Sequence, residues 1–220
     1  MSYALKKDQF YLTVDAVVFT IMDNELKILL VKRKYPPFEG KYALPGGFVK
    51  IGEYLKQAVA RELEEETGVK GIYLQKLPAF GDVERDPRGR VITIPYLALI
   101  DGEAVRLHAS GDAELAKWHS AYNLPELAFD HPRIIDTALS ALRDELWKRD
   151  VAVELLPDRF TLSEMQTTYE IILGKELDKR NFRKKLKELG MLKELSETKM
   201  EGAHRPARLH SFRVKGYKHL

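Results

Sequence analysis

The sequence predicts an α/β domain followed by a smaller, basic, mainly helical one. Three observations carry that reading. Short β-branched and apolar runs in the first half surround one sharply bounded helical pattern. After Trp147 the grammar changes to capped amphipathic helices. Charge divides along the same line: residues 151–220 hold 15 Lys and Arg against 10 Asp and Glu, a net of +5, leaving −2 for residues 1–150. The boundary is expected near residues 150–157, giving domains of 1–150 and 151–220 in a chain of 220 residues.

Taken in order, Tyr11–Ile21 and Lys27–Arg33 (KILLVKR) read as strands. Prolines and glycines make YPPFEGKYALPGG turn material. Leu55, Val59 and Leu63 recur every four residues, so Tyr54–Thr67 reads as a helix that Gly68 stops. Ile72–Phe80, Val91–Ile100 and Ala113–His119 are further strands, the first two joined by the polar loop GDVERDPRGR. Pro132–Lys148 reads as a helix with Ile134, Ile135, Ala138, Leu142 and Leu146 inward and Pro132 in its first turn.

In the second domain, Thr161 and Glu164 have capping-box spacing, opening a helix with Met165, Tyr169 and Ile172 on one stripe and Gly174 at its end. Asp178 then caps a helix that runs to Gly190 and buries Phe182, Leu186 and Leu189. The tail, ending RLHSFRVKGY, alternates in part like an edge strand.

Composition narrows the function classes. At 45% hydrophobic and 31% charged residues the chain is globular in type. With no cysteine, it has no disulfide framework, thiolate metal site or thiol nucleophile. No apolar run approaches the ~18–20 residues of a membrane span, and MSYALKKDQF lacks a secretory leader pattern. A cytoplasmic protein with no membrane partner is expected.

The most informative stretch is GFVKIGEYLKQAVARELEEETGV, residues 47–69. Helical spacing puts Glu62, Glu65 and Glu66 on one face, where three carboxylates repel one another unless positive charge sits among them. Hard divalent cations bind through such oxygens and keep positions open for phosphates. Arg61 can pair with one carboxylate and fix its rotamer. Glu53 lies before the helix, where an anion complements the dipole. Gly46 and Gly47 leave room for close backbone approach.

This stretch resembles the Nudix box, G-x5-E-x7-R-E-U-x-E-E-x-G-U with U aliphatic. Gly47, Glu53, Arg61, Glu62, Leu63, Glu65, Glu66, Gly68 and Val69 fill every defined position. Average residue usage would produce that less than about once in 10⁹ starts. The resemblance implies an α/β/α sandwich with a mixed sheet, and a loop–helix–loop binding Mg²⁺ or Mn²⁺ through Glu62, Glu65 and Glu66. It also implies a contribution from the Gly46 carbonyl, and hydrolysis of a nucleoside diphosphate linked to another moiety. A box glutamate or Glu84 is the candidate base.

Residues 81–90 and the strand after them resemble the corresponding segment of proteins similar to ADP-ribose pyrophosphatases. Arg85, Arg88 or Arg90, with Glu84 beside them, can then meet phosphate or ribose; an ordinary solvated hairpin has the same composition. Asp112 and Glu114 stand before Trp118, which reads as core. His108, His119 and His131 need no metal role.

On the helix after Asp178, Lys179, Arg183 and Lys187 repeat every four residues, flanked by Arg180 and Lys184. That face suits either solvent or the phosphates of a duplex. With the preceding capped helix and the later GAHRPARLHSFR, where His204, Arg205 and Arg208 form a wing, the segment resembles the winged helix-turn-helix of Nudix-related transcriptional regulators of NAD or pentose metabolism. The resemblance implies a homodimer on a palindromic double-stranded operator, with ADP-ribose or a related nucleotide as effector. Many members of that group have a degenerate box; here it is intact. Three readings stay open: a regulator with or without residual hydrolysis, a Mg²⁺-dependent ADP-ribose pyrophosphatase with an accessory domain, and a pentose-sensing regulator.

Overall fold

The computed structural model describes residues 10–70, 72–100, 107, 113–147, 154–200 and 206–213. Its organising strand is β1 (Tyr11–Met22), buried on both faces over Thr13–Thr20, as its nearly continuous apolar sequence requires. One edge of β1 pairs in parallel with β6 (Val91–Leu99), which pairs antiparallel with β5 (Tyr73–Lys76). The other edge forks. Phe19–Met22 pair with β2 (Glu25–Arg33), whereas Thr13–Asp15 pair with β4 (Gly46–Phe48). β2 also carries β3 (Tyr42–Ala43) and β7 (Ala113–Ser120). The sheet is therefore mixed, and the fork opens a cleft at its centre.

Period-two alternation assigns one helix to each face. Val14, Ala16 and Val18 of β1 meet Ala58, Val59 and Leu63 of α1 (Leu55–Thr67) on one side. Val17 and Phe19 meet Ile134, Ile135 and Leu142 of α2 (His131–Glu145) on the other. That is the expected α/β/α sandwich. Trp118 packs, partly buried, against the α1-side cluster.

Beyond α2 the chain forms β8 (Phe160–Thr161), α3 (Leu162–Leu173), α4 (Lys179–Leu189), β9 (Leu192–Lys199) and β10 (Ala207–Phe212). The three strands pair in the order β8-β10-β9 beside two helices, a winged helix-turn-helix. Thr161 and Glu164 make the reciprocal cap predicted for α3, at 3.1 and 2.7 Å. Asp178 accepts from Asn181 N–H at 2.8 Å, and Gly174 and Gly190 close their helices in the left-handed region.

Several expectations need correction. Leu189 is 44% exposed, because the face of α4 that packs is set by Phe182 and Leu186 alone. The turn-rich segment contains β3 and β4, too short to show a period. β5 ends at Lys76, with only an isolated bridge from Phe80 to Thr93 beyond it. α2 ends at Glu145. β9 is mostly exposed and polar, so no apolar alternation announced it. His108, Asp112, His204 and Arg205 lie outside the described residues.

The two domains share one apolar cluster. Ile134, Ile135 and Leu142 of α2 join Met165, Tyr169 and Ile172 of α3 and Phe182 and Leu186 of α4. Because Leu142 is fully buried there, Leu142→Ala is expected to cost about 2–5 kcal/mol in urea denaturation. Leu189→Ala is expected to stay within about 0.5 kcal/mol of wild type.

Candidate ligand and DNA sites

α1 turns its apolar residues to the sheet and Glu62 and Glu66 toward β4. Arg61 organises them. Its Nε and one terminal nitrogen fork onto Glu53 at 2.7 and 2.9 Å, while the other reaches Glu62 at 2.6 Å and Glu65 at 3.2 Å. It also donates to the Phe48 carbonyl at 3.1 Å, tying the helix to β4. The Arg61 fork, helped by Lys50 N–H, holds the Glu53 carboxyl down at about 2. Burial pushes Glu62 up despite Arg61, and the ring of carboxylates raises Arg61.

The glycines are required by contact. A Cβ on Gly47 would stand 2.6 Å from the Glu62 carboxylate, and one on Gly46 would stand 2.2 Å from the Val14 carbonyl. Gly46 N–H donates to Glu66 at 2.9 Å.

The fork in the sheet opens into a cavity of about 480 Å³. Glu62, Glu65, Glu66, Gly46 and Gly47 form one wall. Arg33, Arg85 and Arg88 line the same cavity, with Tyr35, Phe48 and Phe129, and so do Asp15 and His131. Acidic oxygens and guanidiniums in one cavity suit a ligand that brings a divalent cation and anionic phosphates together.

The donor set fits a hard cation: it is all oxygen, and Gly47 leaves the Glu62 carboxylate unobstructed. Among the described residues no three acidic or histidine side chains close on one metal-sized point. Arg61 engages Glu62 and Glu65, and Gly46 N–H engages Glu66.

The structure thus brings the predicted Glu62, Glu65, Glu66, Gly46, Arg85 and Arg88 to one cavity and sets Glu53 and Arg61 behind them. Arg85 is buried and forked onto Asp130 at 3.0 and 2.7 Å. Arg88 forks onto Asp86 and lies between the Phe48 and Phe129 rings, 5.4 and 5.5 Å from their centroids. Arg90 turns away to the Gly81 and Asp82 carbonyls, and exposed Glu84 does not line the cavity.

Sequence reasoning missed Arg33, Tyr35, Phe129, Asp15 and His131. His131 Nδ1 accepts from Leu44 N–H at 2.9 Å, two residues before Gly46, and Nε2 is 3.7 Å from Asp15. A charged residue ending the apolar β2 run was the one available signal, at Arg33.

In the C-terminal domain, Lys179, Arg180, Arg183, Lys184 and Lys187 are all exposed on α4. Arg208 on the wing pairs with Glu194 at 2.5 Å. Lys185, exposed as well, lies over the Trp147 ring, 3.5 Å from its centroid.

Family models match this architecture: a NUDIX domain over residues 12–138 and an NrtR DNA-binding winged helix domain over residues 152–212. The chain belongs to the Nudix family. It carries the NrtR-type winged helix at its C-terminal end. A relative from Acinetobacter baylyi, named as an ADPR responsive transcriptional repressor, is 36% identical over 210 residues, 94% of this chain and 83% of its own. An ADP-ribose pyrophosphatase from Methanocaldococcus jannaschii is 47% identical over 132 residues, 60% of this chain and 76% of its own. The Shewanella oneidensis NrtR structure with a 27mer DNA superposes with a TM-score of 0.74 at 35% identity, covering 92% of this chain and 93% of that one. Its NUDIX domain in complex with ADP-ribose gives 0.58 at 38% identity, covering 64% and 94%.

Two outcomes are expected for the Nudix domain. Gly47→Ala should weaken Mn²⁺ binding in calorimetry by about 10–100-fold, as loss of ligand orientation does, with the circular dichroism spectrum unchanged. Burial lowers His131 below its usual 6.5, with Arg85 and Arg33 adding to burial and Asp15 and Asp130 opposing it. The unfolded chain therefore binds the extra proton first, and stability falls as pH drops below 6.5. In urea denaturation, His131→Gln should shrink the loss between pH 7 and pH 5.

Proposed function

We propose that this protein is a DNA-binding transcriptional regulator whose Nudix domain, residues 1–150, senses ADP-ribose or a related nucleotide. Residues 151–220 read double-stranded DNA. The observation that carries this reading is a single chain joining two features. One is a cavity lined by both Glu62, Glu65 and Glu66 and Arg33, Arg85 and Arg88. The other is a winged helix with an exposed cationic α4. The relative named for ADP-ribose response and the structure solved with DNA support it by matching both halves, and the structure solved with ADP-ribose supports it by matching the Nudix half.

In this reading the diphosphate lies between the acidic and basic walls. Arg88 and Arg33 face its phosphates, and Arg85, fixed by Asp130, sets the loop that carries Arg88. Glu62, Glu65, Glu66 and the Gly46 carbonyl would hold Mg²⁺ or Mn²⁺, which supplies positive charge at the diphosphate and a more acidic water. Lys179, Arg180, Arg183, Lys184 and Lys187 meet DNA phosphates and the major groove, joined by Arg208 on the wing and by Arg205. The protein acts in the cytoplasm as a homodimer on a two-fold operator. Among the described residues no helix is long and apolar enough to cross a membrane.

A mobility shift on DNA from its own upstream region should show nanomolar binding that ADP-ribose weakens. Replacing Lys179, Arg183 and Lys184 should lower the salt slope by about 0.9 per lost phosphate contact. Wild-type binding no tighter than to random DNA would defeat the regulator reading.

The intact box favours a second, compatible reading: hydrolysis of ADP-ribose to AMP and ribose 5-phosphate. Glu53, Arg61, Glu62, Glu65 and Glu66 retain the charge and mutual pairing that turnover needs. Glu65→Gln or Glu66→Gln should then cut AMP release by orders of magnitude. No AMP from wild type after long incubation with Mg²⁺ or Mn²⁺ would remove this activity.

A further inference from the structure

Helix α2 touches both sites. Its N-terminal end belongs to the cavity. Phe129, held in the left-handed region at φ 54°, and His131 both line it. Asp130 between them clamps Arg85 of the loop, and the His131 ring takes the Leu44 N–H beside Gly46.

Its other end belongs to the winged helix. Arg143 Nε donates to the Ile172 carbonyl at 3.1 Å, and Leu146 accepts the Tyr169 hydroxyl at 2.7 Å. Trp147 packs on the Tyr169 ring at 4.8 Å, with Phe182 at 6.0 Å and Lys185 above it. The Tyr122 hydroxyl, just past β7, donates to the same turn of α3, 2.7 and 2.8 Å from the Ile171 and Ile172 carbonyls. Arg143 lies over the Tyr122 ring at 5.9 Å.

Between these ends the helix is stiff. Ile134, Ile135, Ala138 and Leu142 are at most 1% exposed, so a displacement at one end is carried to the other over about 20 Å. Tyr122 gives a second route, since β7 is paired along β2, which ends in the cavity residue Arg33.

We infer that α2 is the strut that passes occupancy of the cavity to the DNA reader, with Tyr122 and Arg143 as the positioning residues of its joint. The inference rests on the regulator reading above. A ligand entering the cavity meets Arg88, Phe129 and the loop that Arg85 ties to Asp130, and so bears directly on the first turn of α2. At the far end, Tyr122 and Arg143 hold the last carbonyls of α3, the helix against which α4 is packed. Neither residue lines the cavity or lies on the cationic face of α4. Removing both should therefore leave each site intact and uncouple them.

The test compares wild type with the Tyr122→Phe/Arg143→Ala double variant. It measures ADP-ribose affinity by calorimetry, ligand-free affinity for the upstream DNA, and the ratio of DNA affinities without and with saturating ADP-ribose. Wild type should show a ratio within about 5–150, the usual span of coupling between sites. The variant should keep both separate affinities within about threefold and bring the ratio below about two. Hydrogen exchange should in parallel show ADP-ribose altering protection at residues 170–174 in wild type and not in the variant. A variant with the wild-type ratio overturns the strut while leaving the regulator reading in place. A wild-type ratio of one overturns both. If the double variant loses either separate affinity, Tyr122→Phe alone, which removes one oxygen, replaces it; a wild-type ratio in that variant likewise overturns the inference.

Discussion

Three carboxylates within one helical turn are held together by the donors set among them, Arg61 for Glu62 and Glu65 and the Gly46 N–H for Glu66. Two like charges about 4 Å apart repel by about 4 kcal/mol near a protein surface. Arg61 offsets this by forking onto Glu53 and reaching Glu62 and Glu65. The same guanidinium donates to the Phe48 carbonyl and so fixes α1 against β4. Gly47 has no Cβ because Glu62 comes too close, and Gly46 hands its N–H to Glu66. Charge balance, helix placement and the two glycines form a single constraint, from which the geometry of the acidic wall follows.

The forked sheet does the complementary work. β1 changes partner along one edge, from β4 to β2, and the change leaves a cleft that strands paired along their whole length would close. Residues from both faces reach it: glutamates from the α1 side, Asp15 and His131 from the α2 side. Asp15 is buried yet satisfied, because Thr93 on β6 donates to it at 2.6 Å. A buried carboxylate without such a donor would cost far more than the sheet gains there.

How much of this was legible follows from which interactions are local. The acidic wall, its arginine, the helix stops at Gly68, Gly174 and Gly190, and the cap at Thr161 all depend on residues within a few positions, so spacing reveals them. The rest of the cavity lining is assembled from β2, the loop before β6 and the start of α2. Nothing in the order of residues says that Arg33, Arg88 and His131 meet. Arg85 and Arg90 look equivalent in the loop, yet one is buried on Asp130 and the other serves backbone carbonyls. The helix after Asp178 was legible as amphipathic, but a two-residue anchor, Phe182 and Leu186, suffices for it, and Leu189 is left in solvent. β9 escaped because an exposed wing needs no apolar period.

Sensing and turnover place opposite demands on the cavity. A sensor gains from holding its ligand in the ground state, and an enzyme gains only from interactions stronger in the transition state. In the proposed reading the acidic and the basic residues of the cavity divide these tasks. In that reading the guanidinium side, where Asp86 pairs Arg88 and Asp130 pairs Arg85, binds the ground state. The acidic wall bears on the diphosphate only with a cation present, so it is the part that turnover would use. The strut α2 contacts the guanidinium side through Asp130 and Phe129, and it reaches the acidic side only indirectly, through Leu44. A regulator built this way can respond to bound ligand whether or not the diphosphate is cut. Hydrolysis, where it operates, then sets how long the response lasts.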